Sequence, residues 1–446
     1  MWDFVVLGLG LSGYTMARFL FEQGYTVAVT DSRLQPPYLS QLQTQYPQIL
    51  IKTGEFDSQL IDNAKRLAVS PGVNLHSLGL MPEYDRVIGE IEIFAQFCSP
   101  EIPVVAITGT NGKTTVTTLV GQMLQAGGYS VGLGGNIGTP ALDLLSQSYD
   151  YYVLELSSFQ LELTFSLHPA VATILNLTAD HLDRYDSMLS YQQAKQRIYR
   201  YADCCVYYRD DELTYPQNTQ AQCCVSFADN APLTENDYGL IVDDNDRAIV
   251  RGKQLLLHES DLTLRGGHHS LNAMAALALV DCLGGSLNEP LICMSEFKGL
   301  PHRCEVITQN SKQFIWINDS KATNLAALLS DVYTVTQQYQ GASLALLVGG
   351  RLKDADLSAF TEQIPLSVSH VVAFGESVQA WLNAAPVHVR THACDTLQAA
   401  VTYVQSHLSD VDIVMLTPGG SSFDEFANYE KRGEAFKHWI QEVDHA

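Results

Sequence analysis

Positive charge is scarce in this sequence. Its 446 residues carry 26 lysines and arginines against 49 aspartates and glutamates, a formal net charge of −23. Broad binding to nucleic acid or to an anionic membrane needs a basic face, so both are excluded. Small anionic substrates are not, because a local Lys or Arg cluster in a cleft can override the average charge. No apolar run is long enough to span a bilayer, and Met1-Trp2-Asp3 opens on neither a basic segment nor a leader with a small-residue cleavage site. The expectation is a soluble, cytoplasmic, untargeted protein with no membrane insertion. The nine cysteines include no Cys-x-x-Cys pair and no Cys/His zinc spacing. Cys204-Cys205 and Cys223-Cys224 are doublets and the rest are scattered, so all read as reduced thiols. Low-complexity linkers and short-period repeats are also missing.

What is present is a serial α/β pattern. A chain this long splits into two to four domains rather than growing one core. Residues 4–7 form an apolar strand running into Gly8-Leu9-Gly10-Leu11-Ser12-Gly13, a helix follows to about 23, and residues 26–31 read as the next strand, ending on Asp31. Two prolines between 98 and 103 mark a linker. Continuous apolar strands at 104–107, 151–156 and 170–176 are of the kind buried on both faces, and 271–283 is a strong helix stopped by Gly284-Gly285. Between them, 203–264 reads as a small antiparallel insertion. Strands at 314–317, 344–348, 371–374 and 412–416 alternate with helices in a further unit. The expected division is 1–97, 98–298 and 299–446.

Residues 106–115 carry the strongest chemical signal. Gly109 and Gly112 let the backbone close around an anion, Lys113 adds a point charge, Thr114 is a candidate Mg²⁺ ligand, and a helix opens at Thr115. The strict phosphate-loop pattern wants a further glycine where Ile107 stands. Gly8-x-Gly10-x-x-Gly13, with Asp31 eighteen residues on, fits a dinucleotide fingerprint and leaves an NAD-dependent oxidoreductase open as an alternative. Glu155 ends a predicted strand, where ligands of parallel sheets bind, and can hold Mg²⁺ beside the loop threonine. Asn176 to Tyr185 packs Asp180, His181, Asp183 and Arg184 past another strand end, a second candidate metal or phosphate site. Asn318-Asp319-Ser320-Lys321-Ala322-Thr323-Asn324, with Pro301-His302-Arg303, could grip ribose, phosphate and a carboxylate. By spacing alone, Lys195 is a solvated helix lysine.

Taken in order, Gly109-Thr110-Asn111-Gly112-Lys113-Thr114-Thr115, Gly135-Asn136-Ile137-Gly138, Glu155-Leu156-Ser157-Ser158-Phe159-Gln160, Asp180-His181, Pro301-His302-Arg303 and the 318–324 segment resemble the Mur ligases, ATP-dependent amino-acid ligases of peptidoglycan synthesis. The resemblance covers almost the whole chain. Its first glycine turn and Leu416-Thr417-Pro418-Gly419-Gly420-Ser421-Ser422-Phe423-Asp424-Glu425-Phe426 are most similar to the branch that adds D-glutamate, and the Asp-Asn-Pro-Arg signature of the diaminopimelate-adding branch is missing.

The resemblance implies three consecutive α/β domains, a Rossmann-like N-terminal domain, a central P-loop ATPase domain and a Rossmann-like C-terminal domain. It implies ATP and Mg²⁺, the substrates UDP-N-acetylmuramoyl-L-alanine and D-glutamate, an acyl-phosphate intermediate, and a monomer. Gly109, Thr110, Asn111, Gly112, Lys113, Thr114, Thr115, Asn272, Arg303 and Asp319 would hold the nucleotide. Lys113, His181 and Lys195 would be catalytic, and Thr114, Glu155, His181 and a carbamylated Lys195 would serve the metal. Ser12, Asp31 and Ser32 would touch the UDP part of the substrate, and Asn136, Ser157 and His181 its muramoyl part. Lys321, Thr323, Lys353, Ser422 and Tyr429 would receive D-glutamate. Four stretches depart from the family pattern: His269 where Asn is frequent, Arg351 to Lys353 after the paired glycines, Gly419-Gly420, and Tyr429 in place of Phe.

Overall fold

The computed structural model describes residues 1–81, 86–180, 184–217, 219–264, 267–307, 314–352 and 356–442. The described residues form three sheets, each with central strands too apolar to leave either face in water. The first is a five-stranded parallel sheet in the order Leu50–Thr53, Val27–Asp31, Trp2–Leu7, Ala64–Val69, Val87–Ile88. Its glycine turn joins strand Trp2–Leu7 to helix Leu11–Glu22. A Cβ on Gly13 would stand 1.8 Å from the Gly8 carbonyl oxygen, so only glycine lets the helix seat this close to the strand.

The second sheet has nine strands, in the order Gln254–His258, Asp246–Arg251, Tyr238–Asp243, Cys223–Phe227, Cys204–Tyr208, Val171–Ile174, Val104–Thr108, Tyr151–Glu155, Val131–Gly135. Residues 203–264 correct an expectation here. They are no separate antiparallel insertion: Cys204–Tyr208 pairs parallel to Val171–Ile174, and Cys223–Phe227 parallel to Cys204–Tyr208. Only the pairings of Asp246–Arg251 with Tyr238–Asp243 and with Gln254–His258 are antiparallel. Short polar-flanked strands look alike in either direction, and the pairing is set by neighbours far away in sequence.

The third sheet runs Glu305–Ile307, Ile315–Asn318, Ile413–Gly419, Leu344–Gly349, Val368–Phe374, Arg390–Cys394, parallel except at its first pair. The first and last of these strands have no counterpart in the sequence reading, because Arg390–Cys394 is largely exposed and polar and Glu305–Ile307 is three residues long. Helices cover both faces, with Trp316, Phe374 and Phe436 in the core of one and Val332, Phe360 and Trp381 in the core of the other.

By contacts the chain divides into two compact units. Residues 1–263 and 269–297, with the first two sheets, form one, and residues 264–268 and 298–446, with the third, form the other. Inside the first unit one continuous core runs from Phe4 and Val6 through Phe94 to Tyr152 and Ile174, and a second lies around Val5, Leu7 and Leu67. Helix Glu90–Phe97 carries this junction, with the Phe94 and Tyr152 rings edge-on at 5.1 Å. Among the described residues no helix is long and apolar enough to cross a membrane.

Candidate functional site

Strand Val104–Thr108 lies between Val171–Ile174 and Tyr151–Glu155, so the loops after all three emerge at one sheet edge. The loop after the central strand ends at Gly112, the N-cap of helix Lys113–Ala126. Gly112 has φ 81°, and a Cβ there would meet Asn272 Oδ1 at 2.5 Å. Asn272 thus lies directly against the loop. Asn176 fastens it from the other side: its Oδ1 accepts the Asn111 N–H at 2.9 Å, its Nδ2 donates to the Asn111 carbonyl at 3.1 Å, and its own carbonyl accepts the Thr110 N–H at 3.0 Å. Loop shape is held by side chains, at a helix N-terminus of the kind that suits an anion.

Two lysines converge on this loop. Lys113 Nζ donates to the carbonyls of Gly109 and Thr110, both at 2.8 Å. Lys195 Nζ donates to the same Gly109 carbonyl at 2.9 Å and to Thr108 Oγ1 at 3.1 Å, and lies 4.9 Å from the centre of the Tyr191 ring. Lys195 is only 1% exposed, which overturns its reading as a solvated helix lysine. Tyr191, Ala194 and Ile198 form the buried stripe around it, and Lys195, four residues after Tyr191, falls on that stripe. Burial pushes its ammonium well below the usual lysine range, and the Lys113 charge pushes the same way against Asp180 and Glu155. Burial thus shifts the group toward the neutral amine.

Glu155 ends its strand and is 2% exposed. Its Oε1 accepts the Asn136 amide at 2.7 Å, while its Oε2 is buried with no hydrogen-bonding partner. An ionised carboxylate oxygen out of water and without a donor is costly, and a hard cation is what such an oxygen suits. Mg²⁺ fits this donor set, with Thr114 the second residue of the helix that follows the loop. Ser157 sits two residues further on and is committed locally: its Oγ accepts the Gln160 N–H at 3.2 Å as the cap of helix Ser158–Glu162.

At the N-terminal turn the charges are spent within the chain. Asp31 accepts the Leu9 N–H at 2.6 Å and the Arg33 Nε and N–H at 2.9 and 2.8 Å. Burial alone would raise its carboxyl, but the Arg33 guanidinium and these N–H donors hold it below the ordinary carboxylate value. Ser32 is exposed and Ser12 half-buried. Glu90, beside Ser12, has both oxygens buried without a partner in bonding geometry. Burial pushes its carboxyl up to about 7, over the smaller opposing pull of Ser12 and the Leu142 and Ala141 amides.

In the second unit, Asn318, Asp319 and Ser320 are buried at the end of strand Ile315–Asn318. Asp319 accepts from Thr417 Oγ1 at 2.9 Å, and burial together with the Asp331 carboxyl pushes it well above the usual range. Asn318 Nδ2 meets His302 Nδ1 at 2.9 Å, and His302 adopts a left-handed φ of 65°. Lys321 Nζ stands 4.1 Å over the Tyr429 ring. Arg432, fully buried, joins the two loops that carry these groups: its Nε donates to Ser320 Oγ at 3.0 Å, one Nη to the Ser320 carbonyl at 2.8 Å and the other to the Gly420 carbonyl at 3.1 Å.

Comparison with known proteins agrees with this geometry along the chain. Residues 3–88 match the family described as Mur ligase MurD-like, N-terminal domain, residues 107–280 the Mur ligase middle domain, and residues 302–420 the Mur ligase, glutamate ligase domain. The UDP-N-acetylmuramoylalanine–D-glutamate ligase of Legionella pneumophila strain Philadelphia 1 is 39% identical over 444 residues, covering 97% of each chain. That of Pseudomonas aeruginosa is 40% identical over 446 residues, covering 98% of each. The chain belongs to the Mur ligase family. Among solved structures, a pseudomurein peptide ligase type C from Methanothermus fervidus superposes with TM-score 0.62 at 19% identity, covering 99% of this chain and 100% of its own. The UDP-N-acetylmuramate–alanine ligase of Thermotoga maritima gives TM-score 0.62 at 18% identity with the same coverage, and both speak for the fold alone. The three α/β domains expected from the sequence are those of a Mur ligase.

Of the residues singled out in sequence, Gly109 to Thr115, Asn136, Glu155, Lys195 and Asn272 gather around the phosphate loop of this Mur ligase. His181 and Lys353 lie outside the described residues. Thr323 and Ser422 stand in the two loops that Arg432 ties, Ser422 buried and Thr323 half-buried. Arg432 itself escaped the sequence reading. An arginine inside a helix of mixed polarity reads as solvated, and no local signal marks its burial.

Proposed function

We propose that this Mur ligase joins D-glutamate to UDP-N-acetylmuramoyl-L-alanine with ATP, in the cytoplasm, as a monomer, in the synthesis of peptidoglycan precursor. The observation that carries the reading is the meeting of Lys113 and Lys195 on the loop of residues 109–112, with the partnerless Glu155 oxygen at the end of the neighbouring strand. A dinucleotide-dependent oxidoreductase would have no use for that cluster. The first glycine turn, with Ser12, Asp31 and Ser32, is instead assigned to the UDP part of the substrate, and the domain bounds 1–97, 98–298 and 299–446 are proposed with it.

In this reading the substrate carboxylate attacks the γ-phosphorus of ATP, the bond to the β–γ bridging oxygen breaks, and ADP leaves. The D-glutamate amine then attacks the acyl carbon, gives up a proton, and phosphate departs. The protein's work is positioning and charge neutralisation. Residues 109–115 cradle the phosphates, and Lys113 exchanges the Gly109 and Thr110 carbonyls for phosphoryl oxygens. Asn272, Arg303 and Asp319 are assigned to the nucleoside. Thr114, Glu155 and His181 would hold Mg²⁺, which when bound would offset charge on the phosphoryl oxygens.

Lys195 is assigned to the metal as its carbamate. The neutral amine, toward which burial shifts the group, is the form that adds to CO₂; one proton leaves to solvent, and the product presents a carboxylate-like oxygen donor. Asn136, Ser157 and His181 are assigned to the muramoyl part, and Lys321, Thr323, Lys353, Ser422 and Tyr429 to D-glutamate. An amino-acid panel tests the reading. ATP-dependent phosphate release with UDP-N-acetylmuramoyl-L-alanine should require D-glutamate, and equal release with L-glutamate or L-lysine would sink the assignment.

A further inference from the structure

Three cysteines that no sequence spacing links come together at one end of the nine-stranded sheet's helix cover. Strands Cys204–Tyr208 and Cys223–Phe227 pair in parallel with Cys204 opposite Cys223 and Cys205 opposite Cys224. Successive strand residues point to opposite faces, so each face receives one pair of thiols. Helix Gly267–Cys282 ends on one of these faces and delivers Cys282 to it. The Sγ atoms of Cys204, Cys223 and Cys282 all lie within 4.8 Å of one another, with Cys204 and Cys282 at 3.0 Å. All three are free thiols, graded from buried Cys204 through half-buried Cys282 to exposed Cys223, so the cluster opens to solvent on one side. The Asp281 carboxylate adds negative charge beside Cys204, and is itself held by Tyr238 OH at 3.0 Å and Arg251 Nε at 3.1 Å.

We propose that Cys204, Cys223 and Cys282 form a binding site for one thiophilic d¹⁰ cation of the zinc class. Zinc–sulfur bonds of about 2.3 Å put tetrahedral sulfurs about 3.8 Å apart. The pair at 3.0 Å is shorter than that and all three sulfurs lie within 4.8 Å, so modest side-chain rotation of Cys204 and Cys282 brings the set to this spacing. Three protein ligands with solvent in the fourth position is an ordinary coordination for this ion. Each bound thiol gives up its proton to solvent as the cation enters. Oxygen-seeking Mg²⁺ does not compete for sulfur, so this site and the one at Glu155 select different metals. They are also apart in space: the helix that ends at Cys282 carries Asn272 against Gly112 ten residues earlier, about 15 Å along its axis. The proposal does not depend on the ligase reading, and ligase activity is not its readout.

The test is titration of the full chain with Cd²⁺ under a phosphine reductant, following thiolate-to-cadmium charge transfer in the near ultraviolet. One Cd²⁺ per chain should bind with the absorbance of three thiolates and be displaced by Zn²⁺. Cys223→Ser and Cys282→Ala should each weaken binding at least about tenfold and cut the absorbance to about two-thirds. Cys224→Ser, on the other face, should change neither. Cys223 is exposed, so its variant keeps the fold, checked by an unchanged melting temperature, and decides the matter alone if Cys282→Ala does not fold. Absence of a saturable band overturns the proposal, as does an unchanged band in the Cys223 variant or an equal loss in the Cys224 variant. A chain that takes up no Cd²⁺ when reduced, yet links Cys204 to Cys282 in air, also overturns it and makes the cluster a redox pair.

Discussion

The first unit contains two strand–glycine–helix turns of similar sequence and opposite disposition. At Gly8 to Gly13 the neighbouring acid, Asp31, is consumed by the Leu9 N–H and Arg33. At Gly109 to Lys113 two lysines meet on one carbonyl and the neighbouring acid, Glu155, keeps one buried oxygen without a partner. Glycine supplies close approach in both. What differs is that a buried carboxylate oxygen stands without a donor beside the second turn, the turn assigned above to a triphosphate and its metal.

That comparison is easiest to break at the lysines. Lys113→Ala should lower turnover by about 10³-fold, as loss of a transition-state charge partner does, while melting stays near wild type. An active Lys113→Ala enzyme would remove the basis for treating the two turns differently. Glu155→Gln should cost nearly as much, and its residual rate should need far more Mg²⁺ to saturate. A rate insensitive to Mg²⁺ in both proteins would argue against Glu155 as the metal's anchor.

The next effect is on stability and belongs to the first turn. Folding raises the Glu90 carboxyl from its ordinary value to about 7, so the folded state binds the proton more tightly than the unfolded chain. The protonated form's stabilisation is complete below about pH 4.5 and lost as pH rises through about 7. Glu90→Gln should remove that slope, worth up to about 3 kcal/mol. Urea denaturation of both proteins across this range measures it, and parallel curves would refute the burial argument.

Asp31→Ala should be the mildest change. It leaves the Leu9 N–H without its acceptor, at about 1–2 kcal/mol, and should raise KM for the UDP substrate more than it lowers kcat. A kcat loss as large as that of Lys113→Ala would erase the distinction between the turns.

The sequence alone determined the local grammar of this protein. Apolar runs marked the buried parallel strands, and glycines with a lysine marked the phosphate loop. Motif order along the chain pointed to the Mur ligases. Those signals are legible because each is written within a few residues, at the period of a strand or the turn of a loop. Tertiary structure decided what depends on distant pairing. The parallel register of residues 204–208 and 223–227 turned an expected insertion into sheet and set Cys204 beside Cys223. Packing of helix Met188–Gln196 against the loop buried Lys195, and docking of helix Tyr429–Glu442 buried Arg432. A charged side chain leaves the same mark in sequence whether water or a carbonyl will surround it, and only the fold chooses.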